Sequence, residues 1–536
     1  MSPTRPPTRR PDVLLLIIDD LRADLGSYGR DFARTPHIDA LSARSTTFLQ
    51  AHAAVANCAP SRASLLTGLR PDTHGVLDLH THVRDRHKAL TTLPQRFRSA
   101  GYLAVSYGKI YHQFLDDEPS WSPQGEFADG HTYRGLRGPA WSRAGGWSKG
   151  WSYNQYMTPA NRAQQADVSR RRRRGDYSIG INAALPPFEE GPDSDLRAGD
   201  APDSGSATAS EAYTDERTAS RGLRALARLH AQPRPWFLAL GFVRPHLPFN
   251  APARYWAQAR AAHAVGAVGT NAYAPPGLSR HTALHLNGGD GELFDFDGPK
   301  KHVTAASSRG QTLAIAYAAA VSFADHQVGR VLGGMRRLAL ENSTITVLLS
   351  DHGWKLGHYG GWGKHTLLAA DTHVPLIISA ADIAPKRVHA PVELIDVYPT
   401  LCELAQLSCR GRAVRPKLEG KSLVPLMRRP SPRAMVARAS AVSQWPMRKR
   451  AAHCMGYAMR TQGWLFVQWT DERRPGTVAA DDDEHSPDEC AASSDLFRVE
   501  RNSSRRGVMQ EALVDGGSRH GVRRTLRRRL WAVLSS

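Results

Sequence analysis

Four apolar runs punctuate the chain, and each gives way abruptly to charged residues or histidines. Residues 13–18 (VLLLII) end at Asp19-Asp20, and residues 102–106 (YLAVS) lead into Gly108-Lys109 and then His112. Residues 236–242 (WFLALGF) precede Arg244-Pro245-His246-Leu247-Pro248, and residues 344–349 (TITVLL) precede Ser350-Asp351-His352-Gly353. Short runs without polar alternation predict strands buried on both faces, the habit of parallel sheets. A fifth run covers residues 374–379. Helical patterns separate the strands: residues 35–45 with Asp39 in the opening turns, 93–100, 212–230, and 311–340. In the last of these Leu313, Tyr317, Val321, Ala324, Val328 and Leu332 recur at helical spacing. Alternating strands and helices predict an α/β fold, in which ligands bind beyond the carboxyl ends of the strands. The clusters Asp19/Asp20, Lys109/His112, Arg244/His246 and Asp351/His352 are therefore expected on one edge of one sheet.

Elsewhere the pattern weakens. Residues from about 117 to 215 are rich in Trp, Gly, Ser and Arg and read as a long, partly disordered insertion; residues 260–310 read as a Gly/His-rich loop region. Residues 394–404 suggest an amphipathic helix, and residues 465–469 and 496–499 suggest strands of a smaller C-terminal sheet. The expected division is a disordered basic start (1–11), a large α/β region carrying the strand-end clusters (12–425) and a smaller subdomain with a basic tail (426–536).

Composition narrows the picture only a little. With 536 residues, 41% of them hydrophobic, the chain can bury a sizeable core, and no apolar run approaches the ~18 residues that cross a bilayer. The first residues are basic and Pro-rich, which is not the pattern of a signal peptide. Five scattered cysteines form neither a disulfide scaffold nor a zinc pattern, and whether Cys402 and Cys409 pair stays open. A formal charge of +20 suits a polyanionic partner, but much of it lies in two arginine runs, 170–174 and 523–529, of the kind usually solvated. No nucleic-acid signature accompanies the charge.

The stretch 57–68, N-C-A-P-S-R-A-S-L-L-T-G, carries the sharpest signal. Pro60 suits a first helical turn, Ala63, Leu65 and Leu66 continue it, and Thr67-Gly68 ends it. Cys58 is thereby expected at a helix N-terminus, where backbone N–H groups and the dipole favour an anion, with Arg62 one turn on.

Cys58, Pro60, Ser61, Arg62, Thr67 and Gly68 resemble the C-x-P-S-R-x-x-x-x-T-G signature of the type I sulfatases. The likeness extends through Asp19-Asp20, Gly108–His112 (GKIYH), residues 244–249 (RPHLPF), residues 350–354 (SDHGW) and residues 372–376 (THVPL), and is nearest to the iduronate 2-sulfatase branch. It implies an alkaline-phosphatase-like α/β sandwich with a large mixed, mostly parallel sheet flanked by helices, plus a small C-terminal subdomain with a short antiparallel sheet. It also implies that a formylglycine-generating enzyme oxidises Cys58, in the unfolded segment, to an aldehyde that hydrates to a diol. By the same resemblance Asp19, Asp20, Asp351, His352 and residue 58 hold one divalent ion; the oxygen ligands suit Ca²⁺ or Mg²⁺. Arg62, Lys109 and Lys364 stabilise charge on the sulfuryl group. His246 is the expected general acid and His112 the base that releases sulfate. Arg244 stands where the family carries Lys and is a candidate substrate contact. Where the branch reads G-E-H-G, this chain reads Gly357-His358-Tyr359-Gly360. The implied substrate is a sulfated carbohydrate. The alternatives are a phosphate mono- or diester hydrolase of the same superfamily and an inactive polyanion-binding protein. Relatives of this kind are usually secretory or lysosomal.

Overall fold

A computed structural model describes residues 9–113, 115–123, 188–191, 213–263, 277–286, 291–294, 303–428, 440–449, 452–471, 494–502, 508–514 and 520–535. The principal sheet has eight strands: β1 (Asp12–Ile18), β2 (Thr46–His52), β3 (Leu103–Gly108), β5 (Trp236–Phe242), β7 (Thr344–Ser350), β10 (His373–Ser379), β11 (Lys386–Val388) and β12 (Val392–Glu393). Two short pairs lie outside it: β4 (Phe188–Gly191) with β6 (Phe249–Pro252), and β8 (Lys355–Leu356) with β9 (Trp362–Gly363). The order across the sheet is β11-β2-β10-β7-β1-β5-β3, with β12 also on β2. β7, β1, β5 and β3 are mutually parallel, whereas β10 runs antiparallel to both β7 and β2.

β1 explains the layering. Its residues are all buried, and alternate side chains enter opposite cores. Leu14, Leu16 and Ile18 pack with Tyr317, Val321 and Val328 of the helix Ser308–Arg337, while Val13, Leu15 and Ile17 pack with Leu65, Leu66, Phe97 and Leu401. This period-two alternation, buried on both sides, is why the strand reads as an unbroken apolar run. The helices at residues 35–45, 93–100, 212–230 and 311–340 are present as Pro36–Ala43, Leu93–Ser99, Thr214–His230 and Ser308–Arg337.

A second sheet is wholly antiparallel, β13 (Ala441–Lys449), β14 (Ala452–Arg460), β15 (Trp464–Asp471), β16 (Ser494–Asn502) and β17 (Val508–Leu513), in chain order. Only β15 and β16 stand out in the sequence. β13 carries Pro446 at mid-strand, which an edge position tolerates. One face of this sheet (Cys454, Ala458, Val467, Trp469) meets Leu367 and Leu368; the other (Met455, Met459, Phe466) meets Leu526 and Leu530. Those two leucines correct the reading of the arginine-rich tail as a merely solvated run: it is a helix, His520–Leu534, clamped by its apolar face, with Arg524 and Arg528 outward. The region 260–310 is corrected likewise. Its described parts hold the end of helix Ala253–His263 and the helices Arg280–Leu286 and Gly291–Phe294. The run 170–174 lies outside the described residues. Cys402 and Cys409 are disulfide-bonded, and Cys58 is a free, buried cysteine.

Candidate active site

The four parallel strands β7, β1, β5 and β3 end side by side, and the residues beyond their carboxyl ends form one cluster with Cys58 at its centre. Cys58 opens the helix Cys58–Thr67, which ends at Gly68 in the left-handed region (φ 68°). Its Sγ lies 3.2 Å from His352 Nε2, 3.5 Å from both Lys109 Nζ and Lys364 Nζ, and 3.6 Å from Asp19 Oδ1. Burial, and then Asp19, push the thiol up despite the two lysines. As a cysteine it is thus protonated and a weak nucleophile.

Arg62 fixes the carboxylates. It donates from Nε to Asp351 Oδ2 (2.8 Å), from Nη2 to Asp19 Oδ1 (3.0 Å), and from Nη1 to the carbonyls of Lys109 and Ile110. Lys109 also donates to Asp19. Against its complete burial, Lys109 and Arg62 hold Asp19 well below the usual carboxylate range. Asp20 differs: burial raises it further than Lys364, His246 and His352 lower it. Its backbone is strained (φ 61°), and is held there by Tyr317, which donates to its carbonyl, and by its own N–H on Asp351 Oδ1 at 3.2 Å.

Close approach brings Lys109 into place. Gly108 has φ 75°, and a Cβ there would sit 2.0 Å from the Gly241 carbonyl oxygen; Gly241 in turn abuts the Lys109 backbone. Only paired glycines let β3 and β5 run together to the site.

His352 Nδ1 lies 3.2 Å from the Gly353 carbonyl, so Nδ1 carries the proton and the Nε2 lone pair points to Cys58. One ligand atom each from Asp19, Cys58, Asp351 and His352 falls within 4.8 Å of all the others; Asp20, Cys58 and His246 form a second such group. Buried carboxylate oxygens with a correctly aimed imidazole fit a divalent cation. Four of the five expected metal-binding residues thus share one group, and the fifth, Asp20, adjoins it, sharing Cys58 and lying 3.1 Å from His352 Nδ1 through Oδ1.

The two remaining histidines sit in opposite electrostatic settings. His246 Nε2 lies 2.9 Å from Glu292 Oε1 and 3.9 Å from Asp20 Oδ2, and Nδ1 donates to the Leu247 carbonyl (2.8 Å). Burial and Lys364 oppose its charge, yet Asp20 and Glu292 outweigh them and raise it to about 10. His112 is also buried, with no hydrogen-bond partner at Nδ1 among the described residues; burial first and Lys109 next hold it well below its ordinary value. Arg244 is buried, and its Nε and Nη1 donate to Asn250 Oδ1 and the His246 carbonyl (both 2.6 Å). It thus braces the turn that carries the imidazole. Lys364 donates to Asp20 Oδ1 (2.9 Å) and pairs with Glu292 (3.2 Å).

Sequence reasoning misses Glu292. It comes from the Gly/His-rich region, and a lone acid in a stretch without periodicity carries no local signal; only the folded chain sets it between His246 and Lys364.

A buried cysteine, four carboxylates and three fixed cations thus stand at one edge of the principal sheet of an alkaline-phosphatase-like fold. The sulfatase family model matches residues 11–407, so the chain belongs to the sulfatase family and is a sulfuric ester hydrolase. Iduronate 2-sulfatase of Homo sapiens is 28% identical over 520 residues, covering 85% of this chain and 84% of that protein. Among solved structures, the phosphonate monoester hydrolase of Agrobacterium radiobacter superposes with a TM-score of 0.65 at 21% identity, covering 98% of this chain and 96% of that one. Another, solved with its substrate D-glucosamine-2-N,6-O-disulfate, gives 0.63 at 16% identity and covers 98% of both chains.

Proposed function

We propose that the chain is a formylglycine-dependent sulfatase that removes sulfate from a sulfated carbohydrate, with iduronate 2-sulfate-type residues as the favoured substrate. The observation that carries the reading is the setting of Cys58. Two ammonium groups, an imidazole and a carboxylate converge on Sγ, yet the thiol is pushed up and so disarmed. Such surroundings suit an oxygen nucleophile at that position better than sulfur. The likeness to human iduronate 2-sulfatase supports the sugar.

A divalent cation, Ca²⁺ or Mg²⁺, held by Asp19, Asp20, Asp351 and His352 would lend positive charge to the nucleophile and the sulfuryl oxygens. The chain's own residues do the rest. One hydroxyl of the hydrated residue 58 attacks sulfur while its proton passes to the Asp351 carboxylate beside it, and the S–O bond to the sugar breaks as His246 gives its Nε2 proton to the leaving oxygen. Arg62, Lys109 and Lys364 offset the charge on the transferring group. His112, neutral in its setting, then takes the proton of the remaining hydroxyl; the C–O bond to sulfate breaks and the aldehyde returns. An acid held charged and a base held neutral by opposite surroundings are the pairing this sequence of steps needs.

The test is the mass of the tryptic peptide covering residues 45–62, from protein made in its native host, with turnover of an aryl sulfate against the matching aryl phosphate. An aldehyde and a sulfate preference support the reading. An unmodified thiol, or a strong phosphate preference, overturns it.

A further inference from the structure

Glu292 has no part in the steps above, yet it touches two of the groups that perform them. It rides on a single helical turn, Gly291–Phe294, pinned by Leu293, which is 2% exposed and packs in the core that contains Trp362. Oε1 lies 2.9 Å from His246 Nε2 and Oε2 lies 3.2 Å from Lys364 Nζ. Because His246 Nδ1 is committed to the Leu247 carbonyl, Nε2 is the atom with a proton to offer, and Glu292 accepts it. Lys364 Nζ is in turn 3.5 Å from Cys58 Sγ. Two carboxylate oxygens thus span the nitrogens assigned to the leaving oxygen and to the sulfuryl group.

We propose that Glu292 occupies, in the free enzyme, the seat of the substrate's anionic oxygens, and that a sulfate ester or product sulfate binds by displacing it. The proposal rests on the sulfatase reading for the roles of His246 and Lys364. Lys364 and His246 share the one carboxylate of Asp20 beneath them as counter-charge. Buried cations short of counter-charge are unfavourable, and Glu292 supplies a second carboxylate while the site holds no substrate. The side chain is 19% exposed, more than the fully buried carboxylates beneath it, so it has a path outward to water when a tetrahedral oxyanion arrives. Its return hastens the departure of product sulfate, whose charge it repels.

The experiment measures inorganic sulfate binding by calorimetry on the full chain in calcium buffer, for the parent, Glu292→Gln and Glu292→Asp, with aryl sulfate turnover in parallel. Removing a like charge at this range in a buried site should tighten sulfate binding by at least about tenfold in Glu292→Gln, and KM should fall with it. Glu292→Asp keeps the charge and should stay near the parent, and thermal melts confirm that both variants fold. Unchanged or weaker sulfate binding in Glu292→Gln, with kcat reduced, overturns the proposal and makes Glu292 a positioning residue for His246. Tighter sulfate binding with no sulfate ester hydrolysed by the parent leaves the seat intact and sinks the sulfatase reading instead.

Discussion

Replacing Arg62 with Met tests the electrostatic core of the site and its fit to a cation in one experiment. The guanidinium is fully buried between Asp19 and Asp351, themselves fully buried, and also serves two backbone carbonyls. Met fills much of the volume but leaves both carboxylates short of a partner. Breaking a buried pair by removing one member costs about 3–5 kcal/mol, a large share of a typical domain's ~5–15 kcal/mol. Urea unfolding in chelator-treated buffer should show a loss of that size. Adding Ca²⁺ should then stabilise Arg62→Met more than the parent, because the ion would neutralise the carboxylates that the arginine no longer serves. This readout requires neither turnover nor modification of Cys58. A variant as stable as the parent without metal would refute the assignment of Arg62 as the counter-charge these carboxylates need. Equal responses to Ca²⁺ would refute Asp19 and Asp351 as cation ligands.

Three further outcomes are expected. Buried His74 accepts from the Val76 N–H at Nδ1 (3.1 Å) and meets Ser64 Oγ at Nε2 (2.9 Å), and burial, then His87, hold it down at about 3. The unfolded chain therefore binds a proton that the folded one refuses: the contribution is whole above pH ~6.5 and is lost towards pH 3, at up to ~1.4 kcal/mol per unit. His74→Gln should flatten that share of the urea-midpoint profile against pH. Gly108→Ala drives a Cβ to 2.0 Å from the Gly241 carbonyl oxygen at positive φ, so a loss of about 3 kcal/mol or more and a misplaced Lys109 should appear as lowered stability and kcat. Asp72 accepts from Tyr457 OH and Gln444 Nε2 (both 2.8 Å), and Asp72→Ala should cost ~1–3 kcal/mol and raise hydrogen exchange in β13 and β14.

Much of the site is legible in the sequence, and the reason is topological. β7, β1, β5 and β3 are parallel neighbours, so the residues leaving their carboxyl ends must meet at one edge, and apolar runs ending in Asp, Lys or His announce this without any coordinates. The C-terminal sheet is legible only at β15 and β16, since β13 and β14 mix polar residues and Pro446 among the apolar ones and gain their order from pairing with neighbours. β2 escapes notice because Thr46–His52 (TTFLQAH) lacks both a clean alternation and a continuous apolar run. The tail shows the opposite trap. Its arginines dominate the text, but Leu526 and Leu530, one helical turn apart, decide where it lies. Glu292 belongs to no pattern at all.

The burial of Cys58 also bears on the order of events during synthesis. The residue is 2% exposed, and the partner that approaches its sulfur most closely, His352, is made 294 residues later in the chain. At ~5–20 residues per second, the pocket cannot close over the cysteine for roughly 15–60 s after it is made. On the proposed reading, the modifying enzyme works inside that interval. Translation speed and the spacing of the strands would then set what fraction of molecules is ever active.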